Sequence, residues 1–171
     1  MRESAYLEGQ DHLVARIKVL PAFAAFDDRR LKELLRLCKI CTYESGEIVI
    51  QEGEREQCMY FLFSGSVQVS KGGKVISTLR RTGDVFGEMS LVDGSPRFAT
   101  VRAVGETTCL AVDASQLEQR AAKDGAEFQA AMYKMFAHIL TQRLRDTTED
   151  YLEVRQELEQ VKKIVPLPTK G

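Results

Sequence analysis

From Ile40 to Val112 the chain is cut by glycines into short β-rich runs, and that spacing constrains the fold more than any other feature. Gly46-Glu47 opens Ile48-Val49-Ile50, and Gly53 marks the next turn. Met59 to Phe63 ends at Ser64-Gly65, and Ser66 to Ser70 faces Val75 to Leu79 across Gly72-Gly73, a hairpin signal. Thr100 to Val104 and Thr107 to Val112 follow. Short strands at close spacing with glycine turns predict an antiparallel β-roll or jelly roll, mainly β, with flanking helices. Residues 1–39 read as an N-terminal helical segment, broken at Pro21. Phe23 and Phe26 are the expected core plugs, and Asp27 or Asp28 caps a helix that carries Leu31, Leu34 and Leu35 on one side. The roll is assigned to 40–113, C-terminal helices to 114–165 and a flexible tail to 166–171.

Composition closes several routes. In 171 residues, 44% hydrophobic and 29% charged, there is material for one sizeable core plus an appendage. Lysine and arginine total 24 against 25 aspartate and glutamate, a formal net charge of −1, so no global basic field recruits DNA. No apolar run reaches the roughly 18 residues of a membrane span, and Met-Arg-Glu-Ser-Ala-Tyr-Leu-Glu lacks the apolar region of a signal peptide, so the expected location is cytoplasmic. Cys38, Cys41, Cys58 and Cys109 are too scattered for a disulfide framework. The Cys38–Cys41 gap suits a metal pair, but on a strand it sends the thiols to opposite faces, so no metal or other cofactor is expected. A cupin-type metalloenzyme would need histidines on strands, whereas His12 and His138 lie outside the roll.

Phe86-Gly-Glu-Met-Ser-Leu-Val-Asp-Gly-Ser-Pro-Arg-Phe-Ala-Thr-Val-Arg-Ala, residues 86–103, carries the chemistry. Gly87 lets the backbone approach a ligand, and the residues after it, Glu88, Met89 and Ser90 among them, can form a short helical turn toward an anion. Glu88 is placed to accept ribose hydroxyls. Pro96 stiffens the chain before Arg97, whose planar guanidinium can hold two phosphate oxygens at once. The stretch resembles the phosphate-binding cassette of the cyclic-nucleotide-binding domain family, with its Phe-Gly-Glu, a leucine after two residues, and Pro-Arg-x-Ala-Thr-Val. Tyr60-Phe-Leu-Phe-Ser-Gly-Ser-Val-Gln-Val and Thr82-Gly-Asp-Val-Phe-Gly-Glu look like the family's strand-turn-strand segments. The resemblance implies that Phe86, Gly87, Glu88, Met89, Ser90, Arg97, Phe98 and Ala99 line a nucleotide site. Phe98 departs from the family, which carries a small residue there, and a threonine at that place accompanies cGMP recognition. The phenyl ring could stack near the base, narrow the choice of base conformation or fill the pocket.

Beyond Asp113, a short helix over Ser115 to Ala122 and a capping box at Asp124-Gly-Ala-Glu127 are expected, then an unbroken helix of about forty residues, a rod of roughly 60 Å. Phe128, Met132, Phe136 and Ile139 form the side expected to dock on the roll. A separate heptad track follows through Ala137, Leu140, Leu144, Thr147, Tyr151, Val154, Leu158, Val161 and Val165. Sustained that far, it asks for a partner helix, so a homodimer is expected. Arg143-Leu-Arg-Asp-Thr-Thr-Glu149 also resembles the bacterial catabolite-activator branch of the same family. That resemblance implies that Arg143 pairs with Glu88, Thr147 meets adenine from its own subunit, and Thr148 meets it from the partner. The chain therefore reads as a stand-alone cyclic-nucleotide sensor, not an enzyme, with cAMP favoured over cGMP, relaying occupancy to an effector protein. The rival reading is a roll that kept the fold without the ligand and works as a structural or interaction module.

Overall fold

The computed structural model describes residues 1–3, 15, 17–113, 115 and 126–164. The expected helix over Ser115 to Ala122, the Asp124 cap, His12, Val165 and the tail fall outside these residues, apart from Ser115 itself. The chain forms two compact units, Met1–Phe136 and Ala137–Gly171.

Among the described residues of the first unit, strands β1 (Arg2–Glu3), β2 (Cys38–Tyr43), β4 (Cys58–Ser64), β7 (Val85–Phe86) and β9 (Thr107–Asp113) form one antiparallel sheet, in the order β1-β2-β9-β4-β7. Strands β3 (Ile48–Ile50), β5 (Val67–Lys71), β6 (Lys74–Leu79) and β8 (Thr100–Ala103) form the other, in the order β3-β8-β5-β6. The strands read from the glycine pattern are present. The roll begins at Cys38, two residues before the assigned Ile40, and Arg2–Glu3 is a strand paired with Thr42 and Cys41 inside the segment assigned as helical. A two-residue strand has no periodicity to betray it; its register comes from β2.

The inner faces meet in a core of Cys41, Tyr43, Val49, Ile50, Tyr60, Leu62, Val67, Phe86, Val101, Ala103 and Cys109. Successive strand residues point to opposite faces, so Met59 and Phe61 lie on the outer face of β4, yet both are fully buried. The outer face of the five-stranded sheet is roofed by the 3₁₀ turn Pro21–Phe23, helix α1 (Asp28–Leu35) and the opening of a later helix. The Phe23 ring packs 4.6 Å from Phe61, and Phe26 meets Phe128 edge-on at 6.1 Å. Burial on both faces explains why Met59 to Phe63 is continuously apolar rather than alternating. The Asp27 carboxylate caps α1 by accepting from the Arg30 N–H at 2.8 Å, and Arg30 also pairs with Glu127. Cys38 and Cys41 face opposite ways as expected: Cys38 Sγ donates to the Leu34 carbonyl, and Cys41 enters the roll.

One turn fixes how the sheets meet. Gly65 sits at φ 86°, where a Cβ would lie 2.4 Å from the Glu106 carbonyl oxygen and 2.7 Å from Thr107 Cα, so only glycine lets this turn rest on the β8–β9 connection. Thr107 Oγ1 donates to the Ser66 carbonyl at 2.9 Å beside it.

The last described element is helix α3, Ala126–Ile164, 39 residues long. Its beginning belongs to the first unit, where Phe128, Met132 and also Met135 are buried while Phe136 is half-buried. From Ala137 it belongs to the second unit, where Leu144, Tyr151, Val154, Leu158 and Val161 are all more than half exposed. Among the described residues no helix is long and apolar enough to cross a membrane.

Candidate ligand-binding site

The cassette is a strand, a turn, one short helix and a return strand. Phe86 ends β7 and lies in the core, its ring stacked on Tyr60 at 5.2 Å. Gly87 then adopts φ 81°; a Cβ there would come 2.9 Å from Ile50 Cδ1 and 3.0 Å from both Arg97 Nη1 and the Cys58 carbonyl oxygen. The glycine is required twice, for the backbone angle and for the space the guanidinium occupies. Glu88 opens helix α2 (Met89–Asp93), which Gly94 closes in the left-handed region at φ 68°.

Two ionisable side chains of this loop are buried, Glu88 at 2% exposure and Arg97 at 3%. Arg97 Nη1 donates to the Gly87 carbonyl at 2.7 Å and to Ser90 Oγ at 2.8 Å, while Nη2 donates to the Cys58 carbonyl. Its Nε–H finds no partner among the described residues. Among the described residues its ion-pair partner is Glu56, 3.9 Å from Nη2 and 45% exposed. The guanidinium is thus held by neutral oxygens and only distantly balanced by charge, an arrangement that favours a bound anion.

The main chain at Arg97 is equally fixed. Its N–H donates to the Glu54 carbonyl at 2.8 Å, and its carbonyl accepts from the Gly53 N–H at 2.9 Å. Phe98 does not fill the interior. Its ring is 50% exposed and lies under the Lys71 ammonium, 4.5 Å from the ring centroid. Ala99 returns to the core, and Met89 is exposed. The contacts of Lys71 had no sequence signal, because they join two loops far apart in the chain.

A cavity of about 80 Å³ is lined by Cys41, Cys58, Tyr60 and Ala111 of the inner sheet face, with Lys39, Glu56 and Asp113 also in its wall, and includes neither Arg97 nor Glu88. Burial pushes the Cys58 thiol up to about 11 and raises the Tyr60 hydroxyl, so both are neutral at physiological pH. A larger open depression, about 620 Å³, is lined by Gln51, Ser70, Thr100 and Arg102 and includes neither Arg97 nor Glu88. The charged pair therefore locates the candidate site better than volume does.

Arg143, Thr147 and Thr148 lie on α3 in the second unit. The Thr148 hydroxyl donates to the Leu144 carbonyl at 2.7 Å, the local bond by which a helix satisfies a threonine.

The geometry coincides with a family match. The profile described as "Cyclic nucleotide-binding domain" matches residues 40–124. Residues 40–124 belong to the cyclic nucleotide-binding domain family. Over 88 residues the chain is 39% identical to a cAMP-dependent protein kinase regulatory subunit of Debaryomyces hansenii, covering 52% of this chain and 19% of that protein. Over 100 residues it is 35% identical to a cGMP-dependent protein kinase of Plasmodium berghei, covering 58% of this chain and 12% of that one. The chain therefore spans less than a fifth of either relative. A crystal structure of a cyclic nucleotide-binding domain from Methylobacillus flagellatus superposes with a TM-score of 0.72 at 20% identity, covering 85% of each chain, which fixes the β-roll fold.

Proposed function

We propose that this chain is a cytoplasmic, non-enzymatic cyclic-nucleotide sensor, with cAMP its favoured ligand, and that it passes occupancy through α3 to an effector protein without touching DNA or a membrane. The observation that carries the reading is Arg97: a guanidinium 3% exposed, on three neutral acceptors, with an Nε that has no partner among the described residues and a buried Glu88 in the same cassette. A cyclic phosphate supplies the missing negative charge, and a ribose supplies hydroxyls for a carboxylate. The cAMP preference is supported by Phe98 at the place where a threonine would serve guanine, and by the D. hansenii relative, a cAMP-dependent kinase subunit. The Thr147 and Thr148 hydroxyls are candidate adenine contacts.

For assembly, the uncovered stripe of α3 is assigned to a second copy of the chain. With Ala137 and Leu140 as the first pair of seam positions, the flanking positions place Asp150 near Arg155 and Glu157 near Lys162 of a parallel, in-register partner. An antiparallel partner would oppose like charges instead.

Calorimetric titration with cAMP and with cGMP tests the ligand. The expected result is saturable binding of both, tighter for cAMP. Absence of heat with either nucleotide rejects the sensor and leaves the interaction module.

A further inference from the structure

Two turns distant in sequence converge around the main chain that carries Arg97. The Gln51–Glu54 turn supplies the Gly53 N–H and the Glu54 carbonyl that clamp the Arg97 peptide groups at 2.9 and 2.8 Å. The β5–β6 turn supplies Lys71, whose Nζ donates to the Phe98 carbonyl at 2.6 Å while its charge sits over the Phe98 ring. Glu52 ties those two turns together, pairing with Lys71 Nζ at 3.1 Å and accepting from the Gly72 N–H at 2.9 Å. Three main-chain groups, the Arg97 N–H, the Arg97 carbonyl and the Phe98 carbonyl, are thus anchored from outside the cassette, and Lys71 is the side chain that anchors the last of them.

We propose that Lys71 is a positioning residue for the anion site: held by Glu52, it fixes the Arg97–Phe98 backbone so that the Arg97 guanidinium keeps its orientation. The proposal rests on Arg97 being the phosphate-binding group. Its physical basis is that the guanidinium is aimed by its own Cα. A shift of well under an ångström at Phe98 is enough to misplace a bidentate contact, and supporting groups around a binding residue set its precision. The same clip keeps the Phe98 ring turned toward Lys71 and half exposed, so that this bulky side chain does not obstruct the interior. Lysine suits the role because its ammonium has three donors to divide between a carbonyl and a carboxylate while still facing a ring.

The test compares Lys71→Met, which keeps the stem and removes the charge, with Lys71→Arg, which keeps a cation and donors. Titration with cAMP is expected to show about tenfold weaker binding for Lys71→Met and recovery to within about threefold of the parent for Lys71→Arg. The thermal midpoints of both variants should stay near that of the parent. Amide hydrogen exchange, which needs no ligand, is expected to be faster at Gly53 and Arg97 in Lys71→Met and normal in Lys71→Arg. Unchanged exchange in Lys71→Met overturns the clip, and faster exchange with unchanged affinity overturns its role at the site. A parent protein that binds neither nucleotide sinks the sensor reading, with exchange still deciding whether Lys71 braces Arg97. Parental affinity in Arg97→Ala removes the assignment of Arg97, and this proposal with it.

Discussion

The cassette and the distal part of α3 solve opposite problems. In the cassette, Glu88 and Arg97 are buried polar groups inside a finished fold, and each bond to Arg97 comes from the same compact unit. Along α3 beyond Ala137, Leu144 is 69% exposed and Val154 63%, apolar groups in water at regular spacing. One region confines a charge that wants a counter-charge; the other displays carbon that wants a cover. In the proposed function a small charged ligand completes the first and a second helix the other.

The contrast breaks most sharply at Arg97. Arg97→Ala should cost about 1.5–3 kcal/mol of nucleotide affinity, at least about tenfold, by removing charge-assisted bonds. Folding is expected to persist, with the Gly87 and Cys58 carbonyls left unserved. Calorimetry on the folded variant decides, and parental affinity would refute the cassette assignment.

The complementary break is Leu158→Lys, which puts two like charges in the proposed seam and should shift the protein from dimer to monomer in sedimentation. If the nucleotide meets Thr148 of the other subunit, the same variant also binds cAMP more weakly, because assembly and binding strengthen each other by equal factors. A dimer that survives the substitution disproves the seam.

A smaller effect is expected at Gly87. Gly87→Ala forces a side chain into the left-handed region, costing about 1–2 kcal/mol of stability, and crowds Arg97 Nη1. Thermal unfolding measures the first consequence and titration the second. An unchanged midpoint would mean the backbone turn relaxes freely.

Titration of the core gives a pH test that α3 should not share. Burial raises the Cys58 thiol to about 11 and Cys109 to about 12. Unfolded thiols ionise near pH 8.5 while the folded ones stay protonated, so this stability is fully present below about pH 8.5 and drains away as pH climbs toward 12. Denaturant midpoints at pH 8 and pH 10.5 should show the decline in the roll's transition, and a flat profile contradicts it. The mildest change is Phe98→Ala: with the ring half exposed, affinity should fall threefold or less and stability should move by about 0.5 kcal/mol at most.

What could be read from residues alone follows from locality. Turns at Gly65 and Gly72-Gly73, the Asp27 cap and the cassette are each specified within a few neighbouring positions, so their chemistry is visible in order. β1 and β7 are two residues long and exist only through partners at Cys41–Thr42 and Tyr60–Phe61. Met135 shares the helical face of Phe128, Met132 and Ile139, so the helical period points to it, whereas Phe136 lies one step round and is only half-buried; the burial of Met59 and Phe61 depends on a roof supplied from the N-terminal helices. The acceptors of Arg97 at Cys58 and the Glu52–Lys71–Phe98 grouping are meetings of distant loops, for which no spacing rule exists. The Thr148 hydroxyl bonds the Leu144 carbonyl of its own helix, a local contact that any helical threonine can make.

Strand β9 has a temporal consequence. It is the shared neighbour of β2 and β4, pairing Val112 with both Cys38 and Met59, and β8, just before it in the chain, joins β3 to β5 in the other sheet. Neither sheet can therefore close until a ribosome has made residues 100–113. Between Cys38 and Val112 lie about 70 residues of synthesis, roughly 4–15 s at cellular elongation rates. Through that interval the apolar run Met59 to Phe63 waits without its β9 partner, so the arrival of the β8–β9 segment, one strand for each sheet, is the step that ends its exposure.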